Sequence, residues 1–251
     1  MYSGPITCWS RKPMPMAQSR AVVAGGSRMR EGSCGTWPYH SRMTPAPTFP
    51  PDAATLDGLA ARLRDADWAV LTLSADDPLL RAAGAEAREL AEAGHLRPAA
   101  TGRSDDRRFA GLRGDSTLWL DDPACGSAAA ALLAALDGLR GELNRRLLLG
   151  LDSVEAHFAH YPPGAGYARH RDRFRSDDAR VLSLVVYLNP DWPDDAGGAL
   201  RLHLTEGPLD IAPRLGTIAI FLSESVEHEV LAADRPRFSV AAWFRQRPRG
   251  G

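Results

Sequence analysis

Lysine is nearly missing from this chain. Lys12 is the only one among 251 residues, so arginine carries almost all the positive charge. That bias, together with the many alanines, reads as a property of the coding sequence and not as a functional signal. Cysteine is scarce as well. Cys8, Cys34 and Cys125 form an odd set with no zinc or disulfide spacing. A disulfide-stapled or zinc-ribbon fold is therefore excluded, and a cytoplasmic setting is expected. No apolar run approaches the length of a transmembrane helix. The net charge of −1 supplies no general attraction to nucleic acid or to a membrane, and neither is expected as a partner.

The charge is unevenly placed. Residues 1–50 hold six basic residues against Glu31 alone, a surplus of +5 that leaves −6 on the remainder. They are rich in Pro, Gly, Ser, Met and Arg and lack apolar periodicity, so a disordered tail is expected there. No amphipathic helix of a transit peptide and no apolar core of a secretory signal is visible. Met43, just before the first folded-looking segment, is a possible alternative start. Residues 51–247 are then one domain, with helical support over 51–150 and a β-rich core over 152–247.

The support region begins with a helical stripe, Leu56, Leu59, Ala60 and Leu63, behind Asp52 as a candidate cap. A strand over Trp68–Leu73 follows, then a helix from about Asp77 to Ala93, ended by Gly94. Leu96 to Arg113 is polar and glycine-bounded and reads as a loop. Asp115–Leu120 reads as a strand and Gly126–Leu149 as a long helix. From Asp152 the texture changes. Eight short β-type runs alternate with turn residues, from VEAHFAHY to RFSVAAWFRQ. That pattern predicts a mainly β sandwich or jelly roll, with the N-terminal helices packed on one sheet.

The chemistry centres on Tyr161–Asp172, YPPGAGYARHRD. In an extended strand residues two apart share a face, so His170 and Asp172 present an imidazole and a carboxylate together. That pair suits a divalent first-row metal, with His228 in SVEHEV as the best third ligand. Two histidines and one carboxylate leave coordination sites open for substrates. A lone H-x-D is weak evidence, because a solvated surface pair is the usual outcome. Arg237 strengthens it. It opens the apolar strand RFSVAAWF, where an unpaired guanidinium is costly and calls for an anion. A dicarboxylate chelated to the metal would supply one.

Tyr161, Gly164, Tyr167, His170, Asp172, the run VVYLNPDW, Gly197–Gly198, His228 and Arg237 together resemble the 2-oxoglutarate- and iron(II)-dependent oxygenases. Among these the chain is most similar to prolyl hydroxylases of the oxygen-sensing, egg-laying-defective type and their bacterial relatives. The likeness reaches upstream to LRGDSTLWL and covers roughly Gly102 to Arg245. It implies a double-stranded β-helix core. It implies Fe(II) on His170, Asp172 and His228, with 2-oxoglutarate anchored by Arg237 and Tyr187 and lined by Tyr161. Ser239, two residues past Arg237, could add a hydroxyl to the same anchor or be plain core. Arg180 and Trp243 match positions lining a prolyl-substrate pocket. The implied reaction consumes O2 and 2-oxoglutarate, releases succinate and CO2, and hydroxylates a proline in a protein substrate, with ascorbate as a supporting reductant. The segment GRSDDRRFAG is then a loop that folds over substrate, against its plainer reading as solvated surface.

Alternatives remain within reach of the same residues. One is a small-molecule hydroxylase. Others are a cupin-like metal protein and a non-catalytic module that keeps the triad. His157, His160 and His203 are not expected to ligate metal. Gly197 and Gly198 are expected to serve backbone geometry. The Arg-Gly-Asp at 113–115 is not expected to act in adhesion.

Overall fold

Asp52 starts the first helix as the sequence suggests: its carboxylate accepts the Thr55 N–H at 2.8 Å, and α1 runs Ala53–Ala66. The computed structural model describes residues 48–99, 113–173 and 179–247. Of the expected tail (residues 1–50), 1–47 lie outside the described residues, as does the expected substrate loop (Gly102–Gly111), whereas Phe49 is buried in the core with its N–H donating to Asp77 Oδ2 at 2.7 Å. All the described residues belong to one unit, Thr44–Gly251.

After α1 come β1 (Trp68–Thr72) and α2 (Pro78–Glu92). Asp77 caps α2 through the Leu80 N–H, and left-handed Gly94 closes its C-terminal turn. β2 (Arg97–Pro98) departs from the loop reading of that stretch. Its two residues pair with Thr117 and Ser116 of β3 (Ser116–Trp119) at the end of a sheet, where a proline is tolerated. The long helix α3 (Ser127–Leu147) begins at Gly126, which has no capping side chain. Glu86 of α2 takes that role and accepts the N–H groups of Gly126, Ala128 and Ala129.

The eight strand runs read from sequence are β4 (Leu151–Tyr161), β5 (Tyr167–His170), β6 (Arg180–Tyr187), β7 (Leu200–Leu204), β8 (Gly207–Ile211), β9 (Thr217–Leu222), β10 (Glu227–Val230) and β11 (Arg237–Gln246). Together with β1, β2 and β3 they build two antiparallel sheets. One has seven strands in the order β1-β9-β6-β11-β4-β3-β2, and the other four in the order β5-β10-β7-β8. This is the expected jelly roll. Alternation sorts the side chains of the larger sheet. Phe158, Leu182, Leu184, Ile220, Val240 and Phe244 face the leucines of the three helices in one core. Tyr187, Ala219 and Phe221 face Leu200, Leu202, Ile211 and Val226 in a second core between the sheets. The helices thus cover one face of the large sheet and leave the other to form a lined interior.

Candidate metal and anion site

That interior holds the residues singled out by sequence. His170 and His228 stand opposite each other in the β5–β10 ladder. Asp172 lies just past the end of β5, not on the strand as an extended H-x-D would place it. The chain leaves the ladder at His170 and bends. Ser183 then draws the carboxylate inward, its hydroxyl donating to Asp172 Oδ2 at 2.6 Å. Ser223 lies 2.8 Å from the Ser183 hydroxyl and completes the chain. Asp172 Oδ1 lies 3.6 Å from His170 Nε2, and Oδ2 lies 3.6 Å from His228 Nε2.

Both imidazoles turn the same nitrogen inward. His170 Nδ1 donates to the Ala168 carbonyl at 2.8 Å, and His228 Nδ1 to the Val226 carbonyl at 3.2 Å. Each Nε2 is thereby left with a lone pair facing Asp172. Burial pushes the Asp172 carboxyl up, but His228, His170 and the Ser183 hydroxyl outweigh it and hold the group far below the usual carboxylate range. Burial also lowers His228, which favours the neutral, ligating imidazole. The potential ligand atoms all lie within 4.8 Å of one another, and this is the one such His/Cys/Asp/Glu group among the described residues. Two imidazoles and one carboxylate fit an octahedral first-row metal such as Fe(II) and leave part of its shell to other ligands.

Arg237 opens β11 with its side chain between Tyr161 and Tyr187, 1% exposed. Its Nε donates to the Gly198 carbonyl at 2.9 Å and one terminal nitrogen to Ser239 Oγ at 3.3 Å. Gly198 has φ +73°, and a Cβ there would lie 3.0 Å from Trp192 and 3.4 Å from the Arg237 side chain. Glycine is thus required where the guanidinium is held. Tyr161 pairs directly with Arg237 across the strands and lies under it, 5.1 Å from ring centre to guanidinium carbon. Tyr187 lies 5.2 Å away on the other side. No carboxylate of the described residues forms an ion pair with Arg237. Burial pushes the Tyr187 pKa up to about 12 against the opposing charge and proximity of Arg237, and its buried hydroxyl finds no acceptor among the described residues. A buried cation without a counter-charge and a buried hydroxyl without an acceptor complete a site only when an anion is present.

Arg180 and Trp243 lie toward the other end of the same sheet face. Arg180 is not open. Its Nε and a terminal nitrogen meet Glu155 Oε1 at 2.9 and 2.8 Å, and its guanidinium stacks 3.8 Å over Trp243. Arg245 takes Glu155 Oε2 at 2.8 Å. His157 packs against Trp243 and Trp119, with ring centres 5.3 and 5.2 Å apart. Burial and the charge of Arg113 hold its pKa near 4, so it is a neutral lining residue. His160 faces the opposite side and stacks on Phe238. His203 pairs with Glu229. Neither belongs to the metal cluster.

Ser183, Glu155 and His157 had not been singled out as functional. A signal was available for each. All three are polar residues at the inward-facing period of strands that already carry Tyr187 or Tyr161.

Comparison with known proteins agrees with this geometry. Residues 156–245 match the family model of the 2OG-Fe(II) oxygenase superfamily. A crystal structure of a Pseudomonas putida prolyl-4-hydroxylase shares 42% identity, with a TM-score of 0.68, over 77% of this chain and 100% of that one. Egl nine homolog 1 of Rattus norvegicus is 30% identical over 144 residues, 53% of this chain and 41% of that protein. The human protein gives the same identity over 33% of its length. The chain thus spans less than half of these curated relatives. A Trichoplax adhaerens prolyl hydroxylase in complex with a hypoxia inducible factor peptide fragment shares the fold, at 24% identity and a TM-score of 0.67.

Proposed function

The chain belongs to the 2OG-Fe(II) oxygenase superfamily, and from that premise we propose that it hydroxylates a prolyl residue in a protein, with 2-oxoglutarate as co-substrate. The observation that carries the reading is the buried Arg237, which meets no carboxylate among the described residues, together with the acceptor-less Tyr187 hydroxyl next to it and the His170–Asp172–His228 cluster. His170, Asp172 and His228 would hold Fe(II). Bound iron supplies the centre at which O2 is activated while 2-oxoglutarate is converted to succinate and CO2. The chain's own groups bind and orient. Arg237 and Tyr187 supply donors for the distal carboxylate, with Ser239 helping to hold the guanidinium and Tyr161 closing the wall. Ser183 fixes the Asp172 carboxylate so that one oxygen faces each imidazole. Trp243, with Arg180 stacked on it, walls the side on which a substrate would enter.

A prolyl substrate is supported by the 42% identity to a prolyl-4-hydroxylase over that protein's full length. Ascorbate as reductant and a cytoplasmic location belong to the same reading. Cys125 is a free thiol, which fits a reducing compartment.

The test incubates the full chain with Fe(II), ascorbate, 2-oxoglutarate, air and prolyl peptides, and reads succinate and product mass. The expected result is succinate that rises with one peptide, which gains the mass of one oxygen atom. Both signals should vanish in His228→Ala. Succinate that no peptide stimulates would move the substrate to a small molecule. No succinate from an iron-loaded chain would overturn the reading.

A further inference from the structure

The Arg-Gly-Asp triplet at 113–115 has no part in the site described above, yet it reaches it. His170 is carried by β5, a four-residue strand at the edge of the small sheet. Among the described residues its sole ladder neighbour is β10, and that pairing shifts register between His228 and Val230. A short strand held along one side is a poor mount for a side chain whose direction must be fixed.

The triplet meets the other side of β5. Arg113 forms an isolated antiparallel bridge with Tyr167, and the Gly114 N–H donates to the Gly166 carbonyl at 2.9 Å. A Cβ on Gly114 would lie 2.9 Å from Ala165 Cβ, so the approach depends on glycine. The next residue after the triplet, Ser116, begins β3 in the large sheet. Three residues therefore tie the free edge of the ligand-bearing strand to the opposite sheet.

The side chains continue the link. Arg113 donates to both Asp115 oxygens at 2.7 and 2.6 Å, with the Asp115 side chain fully buried and that of Arg113 16% exposed. The guanidinium lies 4.7 Å over the Tyr167 ring. Tyr167 in turn stacks on His170, with centroids 3.6 Å apart and planes 17° apart. The single hydrogen bond from Nδ1 fixes the His170 tautomer but leaves the imidazole free to tilt. A ring pressed flat against it, backed by a buried ion pair, removes that freedom.

We propose that Arg113, Gly114 and Asp115 form a brace that acts through Tyr167 to fix the direction of His170, and that this brace sets the affinity and coordination of the divalent metal. Arg113, Asp115 and Tyr167 are positioning residues here, not ligands. The proposal rests on the reading of His170, Asp172 and His228 as a metal site.

Co(II) titration of the metal-free full chain tests it, with affinity and the visible d–d spectrum as readouts and no turnover required. Tyr167→Leu removes the stack and is expected to weaken Co(II) binding by about 10- to 100-fold and to alter the band. Tyr167→Phe keeps the ring and should restore both. The double variant Arg113→Met with Asp115→Leu removes the backing without stranding a buried charge, and should shift both readouts in the same direction as Tyr167→Leu. If Tyr167→Leu does not fold, the double variant decides. Wild-type affinity and spectrum in a folded Tyr167→Leu or in the double variant would overturn the proposal. A wild-type chain that takes up no Co(II) would overturn the metal reading itself, and the brace with it.

Discussion

Arginines stand at both ends of the inner face of the large sheet, half-buried at one end and fully buried at the other, and they are held in opposite ways. At one end Arg180 and Arg245 share the two oxygens of Glu155, and Arg180 also stacks on Trp243. At the other end Arg237 is the more deeply buried, yet its partners are a carbonyl, a serine hydroxyl and two aromatic rings. Desolvating a guanidinium is costly, and a carboxylate at hydrogen-bond distance offsets much of that cost. The guanidinium charges of the first end are therefore neutralised within the fold, although the buried Trp243 Nε1 finds no hydrogen-bond partner among the described residues. At the second, Arg237 meets no carboxylate among the described residues. A folded chain tolerates such an arrangement where a ligand supplies the missing charge.

This contrast can be broken by mutation. Arg237→Ala should have the largest effect. It should raise the 2-oxoglutarate dissociation constant of the Mn(II)-loaded chain by about two orders of magnitude. That is the roughly 3 kcal/mol typical of losing one member of a buried charge pair. Calorimetry reads it directly, and an unchanged constant would remove the anion site from Arg237. Glu155→Ala should behave in the opposite sense. It should cost about 2 kcal/mol of unfolding free energy, discounted because both arginines keep some exposure. Its 2-oxoglutarate affinity should stay near wild type. Denaturant unfolding and the same calorimetry check both halves.

His157 sharpens the comparison through pH. Its folded pKa near 4 lies below the ordinary 6.5. Between those values the unfolded chain binds a proton that the folded imidazole refuses. Stability from this group is present above about pH 6.5 and falls as the pH drops, by about 2 kcal/mol at pH 5. His157→Gln should flatten the fall in unfolding free energy between pH 7 and pH 5 by about that amount. An equally steep fall in the variant would place the titration elsewhere. The smallest effect belongs to Tyr187→Phe. The metal-free chain should be no less stable without a hydroxyl that has no partner. Binding of 2-oxoglutarate should weaken by about 1.5 kcal/mol, the low end for a hydrogen bond to a charged group.

Much of this arrangement was legible in the sequence because strands have a period of two. The eight β runs after Asp152 are all present, and Arg237, Ser239 and Trp243 share a face as their spacing requires. The α1 stripe of Leu56, Leu59, Ala60 and Leu63 is buried as its spacing predicts. What stayed hidden depends on long-range pairing. Asp172 reaches the two imidazoles through a bend and through Ser183, 11 residues away. The capping of α3 by Glu86 and the tie between residues 113–115 and β5 join segments about 40 to 50 residues apart, which periodicity does not report. The two-residue β2 falls below the length at which any period can be seen.

The unfolding free energy of metal-free Arg237→Met, set beside that of wild type without ligand, tests the central claim most directly. If Arg237 is an unneutralised charge kept for an anion, replacing it with an apolar side chain of similar length leaves the empty protein at least as stable as wild type. Added 2-oxoglutarate and Mn(II) should then stabilise wild type alone. A variant that loses several kcal/mol without ligand, as Glu155→Ala is expected to do in milder form, would show that Arg237 is already satisfied within the fold and would contradict the account.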